Sequence, residues 1–493
     1  MPEKSARDLR GGWRGFDLRR AGFLLLGAAL FAGVYLSPAW PDAVDAHGRV
    51  FVLGHEAKAA IALFLLALCW WMTEVLPIGV TSIAVAAGQG LFSIRDARTA
   101  FTDFMDPGVW FIFAALAIGM AFTKTGLTRR IAYRTLLLVG ERTERILLGC
   151  LLLTMGLTLV MAHAAVAATV YPLFLAVHAL YTDDDRPTRF GKALFIGMAF
   201  SAGAGSVITL LGSARAAVSV SFFRHFTGHT VGFFELSWYM LPIGLAMTLL
   251  VWLFLLLVFR PERKTIPGLR DRAKRLHASL GPISAREIRT LLVVGGAFVL
   301  FALRALVPAL GGLDQSAILA GAALLLFVLN VLAIEDLEGT SWNIILMFGG
   351  ATSIGLCLWE TGAAHWLAVQ WLATFDGAPG LVFVLSVAFV VLAMTNLTMN
   401  VAAISVSLPV ALVIAPQLGV APDVILYAIL VAAGMPFVLL VGAAPNAIAY
   451  ASRQFTAREF LLVGLPMTAV LLGVLALFVW AIWPAMGMAV AVR

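Results

Sequence analysis

The chain has 493 residues, of which 61% are hydrophobic and only 12% are charged. A soluble domain does not show such a composition, so the sequence predicts an all-α polytopic membrane protein. The net charge of +7 does not call for a nucleic-acid partner, because the basic residues collect in loops as they do on the cytoplasmic side of membrane proteins. The cysteines lie in apolar segments and predict neither a disulfide framework nor a metal cluster.

Apolar segments long enough to span a bilayer recur from Ala21 to Pro484. A transmembrane helix needs about 17 to 25 residues, and these segments predict about eleven such helices together with two re-entrant hairpins. No cleavable signal peptide is expected, so the first helix is predicted to stay as an anchor. Residues 1–20 form a basic tail and residues 260–289 a basic loop, both predicted to be cytoplasmic. We therefore expect a protein of the cytoplasmic (inner) membrane with its N-terminus in the cytoplasm and its C-terminus outside.

Two parts of the chain repeat the same order of elements. Each part begins with an apolar helix, continues with an apolar hairpin and a broken helix, and ends with a closing helix. The repeats are residues 109–259 and 342–493, and residues 21–108 and 290–341 are predicted to be scaffold helices.

The two repeats are predicted to be inverted with respect to each other. The hairpin at about 146–180 is predicted to open to the cytoplasm and the hairpin at about 379–417 to the outside, because basic residues flank only the first. The broken helices are predicted at about 192–224 and 424–453. In inverted-repeat transporters the binding site lies near the membrane midplane, between such broken helices.

The clearest break is the segment LVGAAPNAIAYAS at residues 440–452. Pro445 lacks a backbone donor and clashes with the preceding turn, so the carbonyls of Gly442 to Ala444 are expected to lose their helical partners. Non-helical backbone at membrane depth survives only where it is buried in protein or lines a cavity. A simple packing kink would explain one such break, but the matching segment TLLGSARAA at residues 209–217 favours a binding site.

Three motifs resemble the divalent-anion:sodium symporter family, whose members carry dicarboxylates, citrate or sulfate. They are WWMTEVLPIGVTS at residues 70–82, KTGL at 124–127 and AAPNAIAYAS at 443–452. The resemblance covers most of the chain from Ala57 to Pro484. It implies a homodimer whose protomers each move a transport domain past a scaffold like an elevator, with substrate and sodium at the hairpin tips.

The family's Ser-Asn-Thr motif at each hairpin tip is altered in this sequence. The first tip reads Ala162, His163 and Ala164, and the second reads Met399, Asn400 and Val401. The family's Ser-Pro-Pro-Asn after the first break is replaced by Ser213, Ala214, Arg215 and Ala216, whereas the second half keeps Pro445 and Asn446. The resemblance implies substrate contacts from His163, Ala164, Ser213, Arg215, Asn400, Val401, Ala444, Pro445 and Asn446.

The same resemblance implies two sodium sites of unequal quality. The first keeps Thr158, Gly212 and Ser213 but has lost the serine and asparagine oxygens, so it is predicted to be impaired. The second is the better candidate because hard oxygen ligands remain, and we expect them from Thr395, Thr398, Asn400 and the carbonyls near Gly442.

Arg215 and His163 are unexpected charges for a membrane interior. An arginine at that depth costs roughly 3 kcal/mol or more, so it usually faces a cavity or a partner. We hypothesise that Arg215 replaces the charge of the first sodium and binds a carboxylate or sulfate in bidentate fashion, with His163 assisting or titrating. The alternatives are that Arg215 snorkels or pairs with a carboxylate, and that His163 makes an ordinary hydrogen bond.

The sequence therefore predicts a secondary active transporter of a small anion, namely a di- or tricarboxylate or sulfate, with reduced or absent sodium coupling. A sodium-independent exchanger is the alternative, and a passive channel is a further one. An enzyme is not expected, because His225 and His229 form the only close histidine pair and lack a third ligand in the sequence. The expected partners are the anion, the lipid bilayer and a second copy of the chain, with no cofactor beyond Na+ as a candidate coupling ion.

Overall fold

The structure is a computed structural model that describes residues 18–44, 50–182, 186–372, 379–397 and 400–491. The described chain is almost entirely helical. Its two short strands, β1 (Ala43–Val44) and β2 (Val50–Phe51), pair in antiparallel fashion with Ala43 opposite Phe51. The basic residues of the N-terminal tail before residue 18 lie outside the described residues.

The helices of the first half comprise the first membrane helices, one hairpin and one broken helix. They are α1 (Leu18–Tyr35), α2 (His55–Thr73), α3 (Ile78–Leu91), α4 (Ala97–Thr102), α5 (Pro107–Thr125), α6 (Leu127–Val139), α7 (Thr143–Leu157), α8 (His163–Tyr181), α9 (Arg189–Ser206), α10 (Ala214–Thr227), α11 (Phe233–Val258) and α12 (Leu269–Ser279).

The second half contains a similar series. Its helices are α13 (Ala285–Leu306), α14 (Gln315–Val328), α15 (Ile334–Glu338), α16 (Trp342–Glu360), α17 (Ala363–Leu372), α18 (Gly380–Leu397), α19 (Asn400–Gln417), α20 (Pro422–Gly434), α21 (Ala444–Tyr450), α22 (Ala457–Leu477) and α23 (Trp483–Ala485). Short 3₁₀ turns lie at Asp103–Met105, Pro308–Leu310 and Leu440–Gly442, and a π-helical segment at Phe478–Ile482 joins α22 to α23.

Nine helices among the described residues are long and apolar enough to cross a membrane. This confirms the prediction of an all-α polytopic membrane protein. Helices α3, α14 and α20 are apolar but shorter. The predicted number of about eleven spans, the re-entrant course of the hairpins and the inversion of the repeats stay predictions. The nine helices are His55–Thr73, Ala97–Thr125, His163–Tyr181, Phe233–Val258, Ala285–Leu306, Trp342–Glu360, Gly380–Leu397, Asn400–Gln417 and Ala457–Ala485. In this count Ala97–Thr125 combines α4, the following 3₁₀ turn and α5, and Ala457–Ala485 combines α22, the π-helical segment and α23.

Side-chain caps mark where several of these helices begin. Asp106 precedes Pro107 and accepts a hydrogen bond from the Gly108 amide at 2.7 Å, so α5 starts with a capped proline turn. Ser284 and Glu287 form a capping box at the start of α13. Thr456 and Glu459 do the same for α22. Polar residues at these positions therefore set the ends of otherwise apolar helices.

Each half contains a helical hairpin followed by a broken helix. In the first half α7 and α8 form the hairpin, and the broken helix is α9 and α10, separated by residues 207–213. In the second half α18 and α19 form the hairpin, and the broken helix is α20 and α21, separated by residues 435–443. Helices α11 and α22 then close the two halves.

Both breaks begin earlier than the sequence motifs indicated. Helix α20 already ends at Gly434, and Pro445 lies in the first turn of α21. The expectation that Pro445 interrupts a helix is therefore corrected, because it begins one. Proline is well suited to a first helical turn, since the amide that it lacks would have no partner there. Arg215 likewise lies in the first turn of α10 rather than within a break.

An ion cluster around the buried side chain of Arg95 joins the first and second halves. The side chain of Arg95 is 5% exposed and bridges Asp103 at 2.9 Å and Glu360 at 2.8 Å. Beside it, the Gln89 amide donates to the Ser353 hydroxyl at 2.9 Å. These contacts attach the segment between α3 and α5 to the end of α16.

The loop after α11 holds the start of the first broken helix. The Glu262 carboxylate accepts hydrogen bonds from the Arg189 amide at 2.6 Å and the Phe190 amide at 3.3 Å. It also accepts one from the Tyr181 hydroxyl at 2.8 Å. Glu262 thus caps α9 and ties it to the end of α8.

Candidate functional site

The tip of the first hairpin lies against the first helix break. His163 is the first residue of α8, and its backbone amide donates to the carbonyl oxygen of Gly212 at 3.1 Å. The Thr209 hydroxyl in the break donates to the carbonyl oxygen of Leu159 in the tip at 2.9 Å. A Cβ added to Gly212 would lie 2.5 Å from the carbonyl oxygen of Thr158, so only glycine fits at this approach. The structure thus brings together Thr158, His163 and Gly212.

The second half has a comparable junction, made by Asn396. Its Oδ1 accepts hydrogen bonds from the Val438 and Leu439 amides, both at 3.0 Å. Its Nδ2 donates to the carbonyl oxygen of Leu392 at 2.8 Å, so the side chain joins α18 to the second break. Asn396 is not among the site residues predicted from the sequence, although a buried amide inside an apolar membrane helix is itself a signal of function.

Asn446 and Gly442 complete the second junction. The Asn446 Nδ2 donates to the carbonyl oxygens of Pro436 at 3.0 Å and Leu439 at 3.1 Å. The Asn446 side-chain amide therefore binds backbone carbonyls that the broken helix leaves without helical partners, and its Nδ2 is not free to bind a ligand. A Cβ on Gly442 would lie 3.3 Å from the carbonyl oxygen of Thr395, which places these two predicted residues in contact.

Two buried polar atoms at matching positions have no hydrogen-bond partner among the described residues. They are His163 Nδ1 and Asn400 Oδ1. Each residue is the first of the second helix in its hairpin, α8 or α19. Leaving such an atom unpaired costs about 1–3 kcal/mol, so a bound ligand or ion is the natural partner for both. The free amides and positive dipole ends of α8 and α19 favour an anion nearby.

Arg215 lies at the point where the two broken helices meet. It is only 2% exposed, and its Nη2 donates to the Ser206 hydroxyl at the end of α9. A Cβ on Gly434, at the end of α20, would be 2.9 Å from the same Nη2. The guanidinium group therefore sits beside the C-terminal ends of two helices, where free carbonyls and the helix dipoles favour a cation.

Neither structural alternative for Arg215 fits this arrangement. The side chain does not snorkel, because it is buried. No carboxylate interacts with it in the part of the chain that the structure describes. It does interact electrostatically with His163, so the two basic groups of the first half share one environment.

The remaining residues predicted to contact substrate offer mainly backbone groups. Ser213 is extended, with φ −158°, and its side chain makes no capping bond to α10. Ala164 and Val401 lie in the first turns of α8 and α19. Ala444 and Pro445 open α21, while Thr398 and Met399 lie outside the described residues. Apart from Pro445, which has no amide hydrogen, the described residues of this group carry amides at helix starts that lack internal helical partners and can therefore bind an anion.

The oxygen atoms that could coordinate sodium differ between the two halves. In the first half the Gly212 carbonyl already accepts from His163, and the Thr158 hydroxyl donates to the Met155 carbonyl at 2.6 Å. In the second half the Thr395 hydroxyl likewise donates to a backbone carbonyl, that of Leu392, at 3.1 Å, but Thr395 and Gly442 are in contact and Asn400 Oδ1 is unpaired. Oxygen ligands suit a cation such as Na+, and the unpaired Asn400 Oδ1 is the oxygen that the first half does not offer.

The family model of the sodium:sulfate symporter transmembrane region matches residues 50–489. A similar protein from Staphylococcus saprophyticus, named sodium-dependent dicarboxylate transporter SdcS, is 24% identical over 482 residues and covers 94% of this chain and 91% of its own length. A protein of the same name from Staphylococcus aureus is 24% identical over 452 residues, covering 87% of this chain and 86% of its own length.

Solved structures of two transporters share the fold. Neisseria gonorrhoeae MtrF, described among antimetabolite efflux pumps, aligns with 97% of this chain and 96% of its own, with a TM-score of 0.59 and 14% identity. The Alcanivorax borkumensis YdaH transporter aligns with 96% of this chain and 99% of its own, with a TM-score of 0.55 and 16% identity. The family and these relatives are transporters and not enzymes. The chain belongs to the sodium:sulfate symporter family of membrane transporters, as its resemblance to divalent-anion:sodium symporters implied.

Proposed function

We propose that this protein carries a small anion, either a di- or tricarboxylate or sulfate, and that Arg215 takes the place of one coupling sodium ion. The observation that carries the proposal is the buried Arg215 guanidinium, which has helix ends but no carboxylate beside it among the described residues. Helix ends compensate only part of a unit charge. An anion bound next to the guanidinium would compensate the rest, through the donors that Ser206 does not use.

The second half is proposed to keep one sodium site. Thr395, Asn400 and Gly442 would supply oxygen ligands, with Thr398 as a further ligand outside the described residues. The relatives named as sodium-dependent dicarboxylate transporters support sodium coupling in this chain as well. With the first site replaced by a fixed charge, fewer sodium ions would accompany each anion.

We further propose that the hairpins and broken helices move together as the transport domain of an elevator, in a homodimer of cytoplasmic-membrane protomers with the N-terminus inside. Hydrogen bonds from His163 to Gly212 and from Val438 to Asn396 support this domain, because they attach each hairpin tip to its break. Residues 21–108 and 290–341 would form the stationary scaffold.

The proposal is tested by uptake of labelled succinate, citrate and sulfate into proteoliposomes, with external sodium, a proton gradient and internal anion varied separately. We expect saturable uptake of at least one anion. Arg215→Ala should reduce it at least about tenfold, since a charge-assisted contact is worth roughly 1.5–3 kcal/mol. Arg224→Ala is the matched control, because Arg224 is an exposed arginine on the same helix.

Two results would contradict the proposal. One is the absence of saturable anion flux under every condition. The other is an Arg215→Ala protein whose uptake and sodium dependence equal those of the wild type.

A sodium-independent exchanger is the second candidate function, and the position of Arg215 favours it. The positive charge of Arg215 is covalently fixed at the junction of the broken helices, so no sodium gradient is needed to place a cation there. An exchanger should require internal anion for uptake and should not respond to sodium, whereas a symporter should accumulate anion into empty liposomes when sodium is outside.

A further inference from the structure

Three metal-ligating side chains converge on one face of the molecule, away from the hairpin tips. They are His229 in the loop between α10 and α11, Glu235 in the first turn of α11, and Asp423 in the first turn of α20. One ligand atom from each lies within 4.8 Å of the other two. The side chains of His229 and Asp423 are 56% and 36% exposed, so an ion could enter from solvent.

The sequence pattern had suggested a different pairing. His225 and His229 are four residues apart, but the His225 ring turns to Asp106 at 3.2 Å. His229 instead has its Nδ1 4.0 Å from Asp423 Oδ1. Its ring also packs edge-on against the buried Phe223, with centroids 6.1 Å apart. Of the two carboxylates beside His229, Glu235 is close to it in the sequence and Asp423 comes from a helix distant in the chain.

A buried tyrosine beneath this cluster is the second, independent observation. Tyr427 follows Asp423 by one turn of α20, and Tyr239 follows Glu235 by one turn of α11, so the two tyrosines lie below the two carboxylates. Their rings meet in a T-shaped contact with centroids 5.5 Å apart. Tyr427 is fully buried, its hydroxyl has no partner among the described residues, and it interacts electrostatically with both Glu235 and Asp423.

We propose that His229, Glu235 and Asp423 form a binding site for a divalent transition metal of the zinc class, with the Tyr427 hydroxyl as its buried hydrogen-bond partner. One imidazole nitrogen with two carboxylate oxygens suits Zn2+, whereas Mg2+ prefers oxygen ligands and keeps several waters. In a tetrahedral site, ligand atoms about 2.1 Å from one ion lie about 3.4 Å apart, so atoms now within 4.8 Å of one another would have to close by up to about 1.4 Å. The unpaired hydroxyl would orient a carboxylate ligand or a metal-bound water.

A bound ion would link the first half of the chain to the second. Glu235 belongs to the helix that closes the first half, and Asp423 opens the broken helix of the second half. Metal that binds only the folded state stabilises it by mass action. The charge pattern predicts that this face is external, where metal would come from outside the cell.

The test uses the purified full-length protein in detergent, stripped of metal with EDTA and then titrated with Zn2+ alone. We expect one Zn2+ per chain by equilibrium dialysis and a rise in the thermal unfolding midpoint, with no rise for Mg2+. His229→Ala and Asp423→Asn should lose both effects. Tyr427→Phe should weaken the affinity roughly tenfold, as the loss of such outer partners does. His277→Ala, on the distant helix α12, should keep both effects and serves as the control.

The proposal would be overturned if the wild type did not bind stoichiometric Zn2+. It would also be overturned if His229→Ala and Asp423→Asn, eluting as folded protein from size exclusion, bound Zn2+ as the wild type does. If Tyr427→Phe bound Zn2+ with the affinity of the wild type, the Tyr427 hydroxyl would not be part of the site.

Discussion

Gly464 in α22 packs against the second helix break so closely that no side chain fits. A Cβ added there would lie 1.9 Å from the carbonyl oxygen of Phe437, well inside the 3.0 Å that real Cβ contacts respect. Either α22 or the break would have to move by about 1 Å in Gly464→Ala. Overpacking of this kind lowers stability by about 1–3 kcal/mol. We expect a cost near the upper end of this range for Gly464→Ala, because the atom that clashes belongs to the backbone and not to a flexible side chain.

Gly473 in the same helix provides a matched control. A Cβ there would meet nothing within 4 Å. Replacing it by alanine should therefore raise stability by up to about 1 kcal/mol through helix propensity alone. The same gain partly offsets the clash in Gly464→Ala, which leaves a net loss of about 2 kcal/mol. The two substitutions are chemically identical but should change stability in opposite directions.

Thermal unfolding of both purified variants measures this difference. We expect a lower midpoint for Gly464→Ala and an equal or higher midpoint for Gly473→Ala. Because the break lies at the candidate site, Gly464→Ala should also reduce anion uptake in proteoliposomes, whereas Gly473→Ala should not. Equal midpoints for the two variants would refute the inferred packing of α22 on the break.

Three further predictions concern buried polar contacts. Asn396→Ala leaves two amides of the break unpaired and should lower stability by about 2–6 kcal/mol. Asn343→Ala removes a part-buried cap from one amide only, that of Gly79 in the first turn of α3, and should cost about 1 kcal/mol; similar thermal midpoints for the two variants would contradict this. Arg95→Met leaves the nearly buried Asp103 carboxylate without its cation and should cost about 3 kcal/mol, whereas Arg98→Met, at an exposed arginine, should have little effect on the same measurement. Burial raises the pKa of Glu262, but hydrogen bonds from backbone amides and Tyr181 outweigh it and hold the pKa below its ordinary value of 4.5. Its stabilisation is therefore present above that value and lost as the pH falls through the lowered pKa, so the midpoint difference between wild type and Glu262→Gln should narrow on acidification and not stay constant.

The membrane class and the order of elements could be predicted because they depend on local properties. Apolar runs of sufficient length predict spanning helices wherever they occur. Glycine and polar residues between apolar segments indicated both breaks. The exact ends of the broken helices could not be predicted, since Pro445 is compatible with either ending or beginning a helix, and α20 already ends at Gly434.

The site was predicted in part. The hairpin motifs led to His163 and Asn400, which lie at matching helix starts and whose Nδ1 and Oδ1 atoms have no hydrogen-bond partner among the described residues. Asn396 was missed because it lies outside the altered family motif and its side chain binds the backbone of the second break, which is distant in the sequence. The placement of Arg215 beside the end of α20 depends on residues that are distant in sequence, so no local pattern could have indicated it. The same holds for the approach of His229 to Asp423.

The tethered guanidinium of Arg215 has an electrical consequence for the proposed transport cycle. A sodium ion leaves the protein together with the substrate, but an arginine cannot. The carrier without substrate would therefore keep a positive charge, which a bound anion neutralises in the loaded carrier. Moving one charge across a membrane is worth about 2.3 kcal/mol per 100 mV. The inside-negative potential would thus hold the empty carrier inward until a new anion binds. Under this mechanism the membrane voltage itself would favour one-for-one turnover.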